Sequence, residues 1–301
     1  MSNYFLFFII ISYLSILFKL FKTNTFNKVI NASTTGSVRQ NLTIDILKSL
    51  DIPLPPIDVQ ERIIKEYYSK VENASNLSNE ALKTENQKEE RINNLLGIKH
   101  IQKDKRKGLY FENFSMIERW DLWSVNQTIK STIHQMKILK SIITLQSGSF
   151  LPKAKMIDGE YLVYGGNGIS GSHNEFKLEG ERIIIGRVGE YCGNVHLING
   201  KYWVTDNALW SEIIDENIDI NYLRIALQAL KLNKHRILSA QPSISQTTIL
   251  SLMIPYPSLE KQREIVSEVL SIENNIRTLN SKSENLLDLA LQNFENNLFL
   301  L

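Results

Sequence analysis

The residues best suited to recognising a ligand lie in polar segments of the second half of the chain. Arginine forms paired hydrogen bonds with guanine or phosphate, glutamine pairs with adenine edges, and lysine or serine bonds to phosphates or bases. The candidate contacts are Lys153, Lys155, Asn167, Arg187, Lys234, Arg236, Gln241, Ser243, Ser245 and Gln246. Together they predict contact with DNA, although each segment alone is also typical of an ordinary polar loop.

Bond-making chemistry is harder to assemble. Cys192 and His196 have no orienting acid in the pattern, so a buried structural cysteine is the favoured interpretation. The histidines at 100, 134, 173, 196 and 235 lack metal-ligand spacing. The glycines around Asn167 lack the strand, helix and acidic residue of a dinucleotide site, and the sequence contains no phosphate-binding loop. We therefore expect no catalytic activity, no metal and no cofactor.

Composition narrows the alternatives. The chain has 301 residues, 43% hydrophobic and 22% charged, which is typical of a globular protein long enough for two domains. Its net charge of +2 gives no overall preference for nucleic acid, so any basic surface must be local. A single cysteine excludes an internal disulfide, which fits a cytoplasmic location.

An apolar run extends from Tyr4 to Phe18 and ends at Lys19. A membrane span usually needs ~20 apolar residues, so a helix that packs on protein is favoured over a membrane segment. The run also lacks the basic start and the cleavage site of a signal peptide. We expect no membrane association, and a membrane anchor is the weaker alternative.

Two stretches of the chain repeat each other. Residues 52–64 and 254–266 align without a gap, so that each residue of the first copy corresponds to the one numbered 202 higher. Upstream, residues 37–40 correspond to residues 243–246. A repeat of this length indicates a supersecondary unit used twice. Each copy predicts a helix, a polar loop, a short strand, a Pro-x-Pro turn and a long helix.

The long helices carry a coiled-coil pattern. Because proline disfavours helix in the residues before it, the helices can begin only after Pro56 and Pro257. From Ile265 the apolar positions alternate in steps of four and three residues, interrupted only by Ser283. A helix of about 60 Å with one apolar stripe needs a partner. We expect the two helices to pair antiparallel; two separate, partner-seeking helices are the alternative.

The segment between residues 139 and 253 has a different sequence pattern. Short β-rich runs at 161–164, 182–185 and 194–198 are separated by glycines, which predicts a compact, strand-rich module. Before it, the linker at 97–108 carries the basic run 103–107. Such a run is more typical of a solvated tether than of a phosphate site.

With these features assembled, the chain resembles the specificity subunit of type I restriction-modification systems. The resemblance rests on the two Pro-x-Pro helices and on the series Gln-Ser-Gly, Tyr-Gly-Gly-Asn-Gly, Ile-Gly-Arg-Val-Gly and Trp-Val-Thr-Asp-Asn-Ala within residues 146–208. It implies target recognition domains that each read half of an interrupted site in double-stranded DNA, spaced by a coiled coil. It also implies a non-catalytic subunit that binds methyltransferase (modification) subunits and, through the complex, a restriction motor-nuclease subunit.

The predicted fold is α+β, with one β-rich target recognition domain, two long helices that pair as an antiparallel coiled coil, and a remnant of a first recognition domain. The predicted ranges are 1–52 for the remnant, 53–98 for the first long helix, 99–136 for the linker, 137–257 for the complete recognition domain and 258–301 for the second long helix.

The resemblance further implies that the β-rich part of the first recognition domain is missing, as in a truncated or split gene product. A self-dimer would then restore two-fold symmetry and read an inverted repeat. The alternative function is an interaction scaffold that no longer reads DNA, or a silent or decaying fragment of such a subunit.

Overall fold

The structure, a computed structural model, describes residues 16–33, 44–53, 55–99, 130–237 and 241–299. It divides the chain into two compact units, one formed by residues 1–85 with 273–301 and the other by residues 86–272. The domain ranges expected from the sequence follow different boundaries and stay a prediction. The basic run 103–107 and most of the apolar run 4–18 lie outside the described residues.

The 86–272 unit contains the strands. They are β1 (Ile98–Lys99), β2 (Lys130–Ser131), β3 (Met136–Ile138), β4 (Ile143–Ser147), β5 (Tyr161–Gly165), β6 (Gly168–His173), β7 (Leu178–Glu179), β8 (Arg182–Gly186), β9 (Val195–Ile198), β10 (Lys201–Val204), β11 (Ala208–Ile213) and β12 (Met253–Pro255). The larger sheets have the orders β6-β5-β10-β7 and β4-β11-β8-β9, and the smaller ones pair β1 with β2 and β12 with β3. The strands expected near 161–164, 182–185 and 194–198 are confirmed as β5, β8 and β9.

The helices are distributed over both units. They are α1 (Asn24–Ser33), α2 (Ile44–Ser49), α3 (Ile57–Leu96), α4 (Ile220–Ala229), α5 (Gln246–Ser251) and α6 (Leu259–Phe299), with short 3-10 turns at Leu139–Ser141, Lys153–Lys155 and Leu232–His235. Residues 16–20 are also helical. Among the described residues, no helix combines the length and hydrophobicity required to cross a bilayer.

The core of the 86–272 unit is built on both faces of β8. Its residues Ile183, Ile184 and Ile185 are fully buried. Because successive strand residues point to opposite faces, Ile183 and Ile185 pack in the cluster that contains the α4 side chains, whereas Ile184 packs with Tyr202 of the neighbouring sheet. An apolar run of this kind is typical of a strand covered on both sides.

The structure confirms the internal repeat. The long helices α3 and α6 begin at Ile57 and Leu259, directly after the proline turns and 202 positions apart, as the sequence predicts. The short helices α2 and α5 also correspond at this offset, and neither was expected. The short strand predicted in each copy forms only in the second as β12, which pairs with β3. In the first copy, the described residues 51–53 form no strand and pair with no other described strand.

Within the 1–85/273–301 unit, α3 and α6 pair antiparallel as predicted. Ile63 of α3 packs with Phe294 and Leu298 of α6, and the ring centroids of Tyr67 and Phe294 lie 5.8 Å apart. Farther along α3, Ala74 meets Ser283, whose hydroxyl donates to the Ala74 carbonyl oxygen at 2.7 Å. The polar interruption of the apolar stripe is therefore satisfied across the seam. Ile16, Leu20 and Phe26, from the helical segments before α3, complete this core.

Within the 86–272 unit, the same two helices meet again in antiparallel order. Ile92 and Leu96 near the end of α3 belong to one buried cluster with Ile265 and Val269 near the start of α6. The guanidinium of Arg91 pairs with the carboxylate of Glu268. Because this pair is largely exposed, it contributes little to stability, and the apolar seam carries the association.

Gln262 joins the start of α6 to the entry into α4 within the 86–272 unit. The side chain is fully buried, and its amide nitrogen donates to the carbonyl oxygens of Asn217 and Pro257, both at 3.0 Å. Its oxygen accepts from the backbone N–H of Asp219 at 2.8 Å, while the Asp219 carboxylate caps α4. One amide thus connects the first turn of α6 to the entry into α4.

Gln60 is the same residue at the corresponding position of the first copy. Its amide nitrogen donates to the Pro55 carbonyl oxygen at 2.7 Å, as Gln262 does to Pro257. Its side-chain oxygen, however, is buried and has no hydrogen-bond partner among the residues that the structure describes. The two glutamines therefore share one contact with the turn and differ in all the others.

This difference predicts unequal costs for the same substitution. Gln262→Ala leaves the Pro257 carbonyl and the Asp219 N–H without their partner and removes one of the two bonds to the Asn217 carbonyl, which keeps the Tyr256 hydroxyl. We expect the free energy of unfolding to fall by about 2–4 kcal/mol. Gln60→Ala removes one bond together with an unsatisfied oxygen, so we expect a loss below about 1 kcal/mol. Urea denaturation of the full chain measures both, and equal losses would contradict the assigned contacts.

A second polar junction binds β3 to the segment after β11. The Asp215 carboxylate accepts from Lys137 Nζ at 2.7 Å and from the Tyr256 hydroxyl at 2.6 Å, and the Lys137 ammonium lies 4.2 Å from the centroid of the Tyr256 ring. Burial by itself raises the pKa of this carboxyl, but the bonds from Lys137, Tyr256 and the Asn217 N–H outweigh burial and lower the pKa below its usual range.

The lowered pKa gives this junction a defined pH dependence. Its stabilisation is complete above the unfolded-state pKa of about 3.9 and is lost as the pH falls through the lower folded-state pKa. We expect Asp215→Asn to reduce the free energy of unfolding by about 1–3 kcal/mol at pH 7, and the difference from wild type to shrink below about pH 4. Urea titrations across this range measure it. A constant difference at every pH would show that the Asp215 charge is not responsible.

Candidate nucleic-acid interface

The predicted contact residues extend from one edge of the β4-β11-β8-β9 sheet. Because β11 runs antiparallel to both β4 and β8, the ends of β4 and β8 lie beside the start of β11. Five connections meet there, and we name them together the recognition edge. Its segments are 146–155, 165–168, 186–190, 205–208 and the pair 232–237 with 241–246.

Arg187 lies at the centre of the recognition edge. Its backbone N–H donates to the Asn207 carbonyl oxygen at 2.9 Å, and its own carbonyl accepts from the Ile244 N–H at 3.0 Å. Its half-buried side chain donates from Nη1 to the Ser147 hydroxyl at 3.1 Å. The backbone is therefore held from both sides, while most of the guanidinium donors have no partner among the described residues and can bind a ligand.

The segment 241–246 is attached directly to the Arg187 loop. Ser243 forms β-bridges with Val188 and Ile237, and the Gly189 N–H donates to the Pro242 carbonyl oxygen at 2.8 Å. Gln246 donates from Nε2 to the Ser147 hydroxyl at 3.4 Å, so Gln246 and Arg187 share an acceptor. The structure thus brings together three predicted residues, Arg187, Ser243 and Gln246.

Ser245 has a local role that the sequence did not indicate. Its hydroxyl accepts from the Thr248 N–H at 3.0 Å and so caps α5, and it lies 2.7 Å from the Thr248 hydroxyl. A serine cap typically stabilises a helix by about 1 kcal/mol. Ser245 therefore positions Gln246, the first residue of α5. Gln241 is exposed at the start of the same segment.

Asn167 lies in the β5–β6 turn, which touches the Arg187 loop through two glycines. A methyl group at Gly166 would lie 2.5 Å from the Val188 carbonyl oxygen, and one at Gly186 would lie 2.2 Å from the Gly166 carbonyl oxygen. Both distances are shorter than van der Waals contact, so only glycine permits this approach. The exposed side chain of Asn167 is therefore held beside the Arg187 loop.

Lys153 and Lys155 occupy the short 3-10 turn after β4, and both are exposed. The connection that leads to them is held by two backbone hydrogen bonds. The Gly148 N–H donates to the Ala208 carbonyl oxygen at 3.1 Å, and the Ser149 N–H donates to the Val204 carbonyl oxygen at 2.8 Å. The lysines lie on a segment of this edge, and no described contact joins them to Arg187.

Lys234 and Arg236 belong to the segment 232–237. Arg236 donates from Nη1 to the Glu190 carbonyl oxygen at 3.0 Å and so braces the turn after Arg187, whereas Lys234 is exposed. The acidic side chains of the recognition edge are Glu190 and Asp206, and its cationic ones are Lys153, Lys155, Arg187, Lys234 and Arg236. The local charge is therefore positive although the whole chain is close to neutral.

The neighbouring cysteine and histidine are not prepared for catalysis. Burial raises the pKa of the Cys192 thiol, and this effect outweighs the opposing effect of the nearby Arg236. The raised pKa keeps the thiol protonated. Burial lowers the pKa of His196, whose Nε2 is buried and has no partner in the described part of the chain. Cys192 is fully buried, which confirms the structural interpretation.

Sequence reasoning missed two residues of the recognition edge. Ser147 accepts from both Arg187 and Gln246, and Asn207 supplies the carbonyl that fixes the Arg187 backbone. The polar turn that contains Ser147 was a visible signal, but its neighbours come from strands far apart in the chain. The pairing of β4 and β8 with β11 is what brings them together.

The close contact at Gly166 predicts a sharp difference between adjacent positions. We expect Gly166→Ala to lower the free energy of unfolding by about 1–3 kcal/mol, because its methyl group collides with backbone. Gly165→Ala is the matched control, since its methyl group would lie 3.4 Å from the Thr205 hydroxyl and should cost less than about 1 kcal/mol. Urea denaturation compares the two, and an equal cost would contradict the interlocked turns.

Comparison with known proteins places these features in a family context. Residues 134–288, slightly more than half of the chain, match the family model described as the type I restriction modification DNA specificity domain. The chain is 31% identical over 131 residues to the type I restriction enzyme EcoprrI specificity subunit of Escherichia coli. The match covers 42% of this chain and 32% of that protein, so the chain spans about a third of the relative's length.

Solved structures show the same fold. The S subunit of a type I restriction-modification system from M. genitalium superposes with a TM-score of 0.55 at 18% identity, over 95% of this chain and 72% of that chain. A structure described as the basis of complex assembly and conformational transition of the type I R-M system superposes with a TM-score of 0.61 at 16% identity, over 94% and 70%. At these identities the likeness concerns the fold alone.

Proposed function

The chain belongs to the type I restriction modification DNA specificity family, and on this premise we propose that it reads one half of an interrupted site in double-stranded DNA. The observation that supports the proposal is the convergence of Arg187, Gln246 and Asn167 at one positively charged sheet edge. The chain itself catalyses nothing in this proposal, because its role is to recognise DNA and to bind the subunits that modify or cut it.

The recognition edge supplies the two kinds of contact that sequence-specific binding requires. Lys153, Lys155 and Lys234 are exposed cations suited to phosphates, which position a protein without reading sequence. Arg187 and Gln246 offer planar groups that can pair with base edges in the major groove. Their shared contact with Ser147 orients both groups before DNA arrives, which reduces the entropy lost on binding.

We propose that the paired helices α3 and α6 scaffold the methyltransferase subunits and, through the assembled complex, the restriction subunit. Each helix has about 40 residues and therefore extends about 60 Å, which is sufficient to separate two DNA readers by several base pairs. In this proposal a second copy of this chain, joined as a self-dimer, can supply a second DNA reader.

Binding measurements test the DNA-reading proposal. A duplex recovered by the full chain from a randomised library provides the ligand. We expect Arg187→Ala to weaken binding at least about tenfold and to relax the preference for the recovered sequence, because one bidentate contact is worth about 1–3 kcal/mol. We expect Lys153→Ala to weaken binding to all sequences and to reduce the salt slope by about 1.

Lys140→Ala is the control for loss of positive charge. Lys140 is exposed and lies before β4, at the end opposite Ser147, so its removal should leave affinity and salt slope unchanged. If the library yields no preferred duplex, the chain does not read DNA and the scaffold function alone stands. Footprinting with a methyltransferase subunit tests the half-site, since protection of an asymmetric bipartite site by this chain alone would contradict it.

A further inference from the structure

Phe150 is the most exposed large hydrophobic side chain among the described residues, with 73% of its surface accessible. It follows β4 and lies three positions after Ser147 and three before Lys153, inside the recognition edge. An isolated exposed phenylalanine is ordinary on a protein surface. Its position among DNA-binding candidates is what separates it from the other exposed side chains.

The exposure of Phe150 is imposed by a well-anchored backbone. The preceding residue, Ser149, is bonded on both sides, since its N–H donates to Val204 at 2.8 Å and its carbonyl accepts from the buried indole of Trp203 at 3.0 Å. After Phe150, the Lys155 N–H donates to the Pro152 carbonyl oxygen at 2.8 Å and closes the 3-10 turn. The ring is therefore held out to solvent at a fixed point, as expected of a side chain with an external partner.

The surroundings specify the chemistry of that partner. Lys153, Lys155 and Arg187 place positive charge on the same edge, which favours a polyanion. Duplex DNA presents phosphates for the cations and, between them, the apolar surface of bases and thymine methyl groups for a phenyl ring. A purely apolar protein surface would leave the cations desolvated and unpaired.

We propose that Phe150 is a specificity-determining residue whose ring makes an apolar contact with bases of the bound duplex. This inference rests on the proposed reading of DNA by the recognition edge. The contact is non-electrostatic, so it adds affinity without releasing counterions, and it depends on the sequence at the contacted step. Phe150 thus complements Arg187 and Gln246, which read hydrogen-bonding groups.

Phe150→Ala tests this proposal against the duplex recovered by wild type and a scrambled duplex of the same length. We expect affinity for the recovered duplex to fall at least about tenfold, affinity for the scrambled duplex to change less than about twofold, and the salt slope to stay unchanged. We expect the melting temperature to stay the same, because the ring is exposed. Ile214→Ala is the control, since Ile214 is 55% exposed and lies after β11, at the end opposite the recognition edge.

Three results would overturn the assignment. They are an unchanged affinity for the recovered duplex, an equal loss on both duplexes, and a melting temperature lower by several degrees, which would place the ring in the folded core. Phe150→Leu provides a second measure, because a smaller apolar side chain should retain part of the preference that alanine loses. If Arg187→Ala and Lys153→Ala weaken binding while Phe150→Ala does not, DNA reading stands and only this inference fails.

Discussion

The hydrogen bonds of Gln262 hold the strand-rich part of the 86–272 unit to the first turn of α6. A buried amide is costly unless its donors and acceptor are satisfied, and this one is satisfied by backbone groups of Asn217, Asp219 and Pro257. These bonds fix the position of the entry to α4 relative to the start of α6. Since α4 packs beneath β8 and β9, the sheet that carries the recognition edge takes its position from the same bonds.

The repeat shows what such a junction requires. Gln60 keeps the bond to its proline turn, and α2 and α3 begin where α5 and α6 predict them to begin. What differs is the partner of the side-chain oxygen. Equivalent sequence therefore produces equivalent local structure in both copies, because caps and proline turns are local, whereas the buried oxygen depends on a segment distant in sequence.

The sequence predicted the features that depend on short-range rules and missed those that depend on strand pairing. The proline turns located the helix starts, and the spacing of apolar residues predicted a seam interrupted at Ser283. The repeat predicted that the two helices pair antiparallel. Several candidate contacts do gather at one edge. Their common neighbours Ser147 and Asn207 were missed, because β4, β8 and β11 meet only after folding. The anchoring of Ser149 that exposes Phe150 depends on Trp203, which is equally remote.

The way in which the Arg187 loop is attached determines which of its residues can be substituted without loss of the fold. Its attachments run through the backbone, from Arg187 to Asn207 and Ile244 and from Gly189 to Pro242, and the adjoining turn needs glycine at 166 and 186. The exposed side chain of Asn167 projects beside this frame and takes no part in these attachments. An exposed side chain there can be exchanged while the backbone attachments are kept, so the edge is a surface whose chemistry can change one residue at a time.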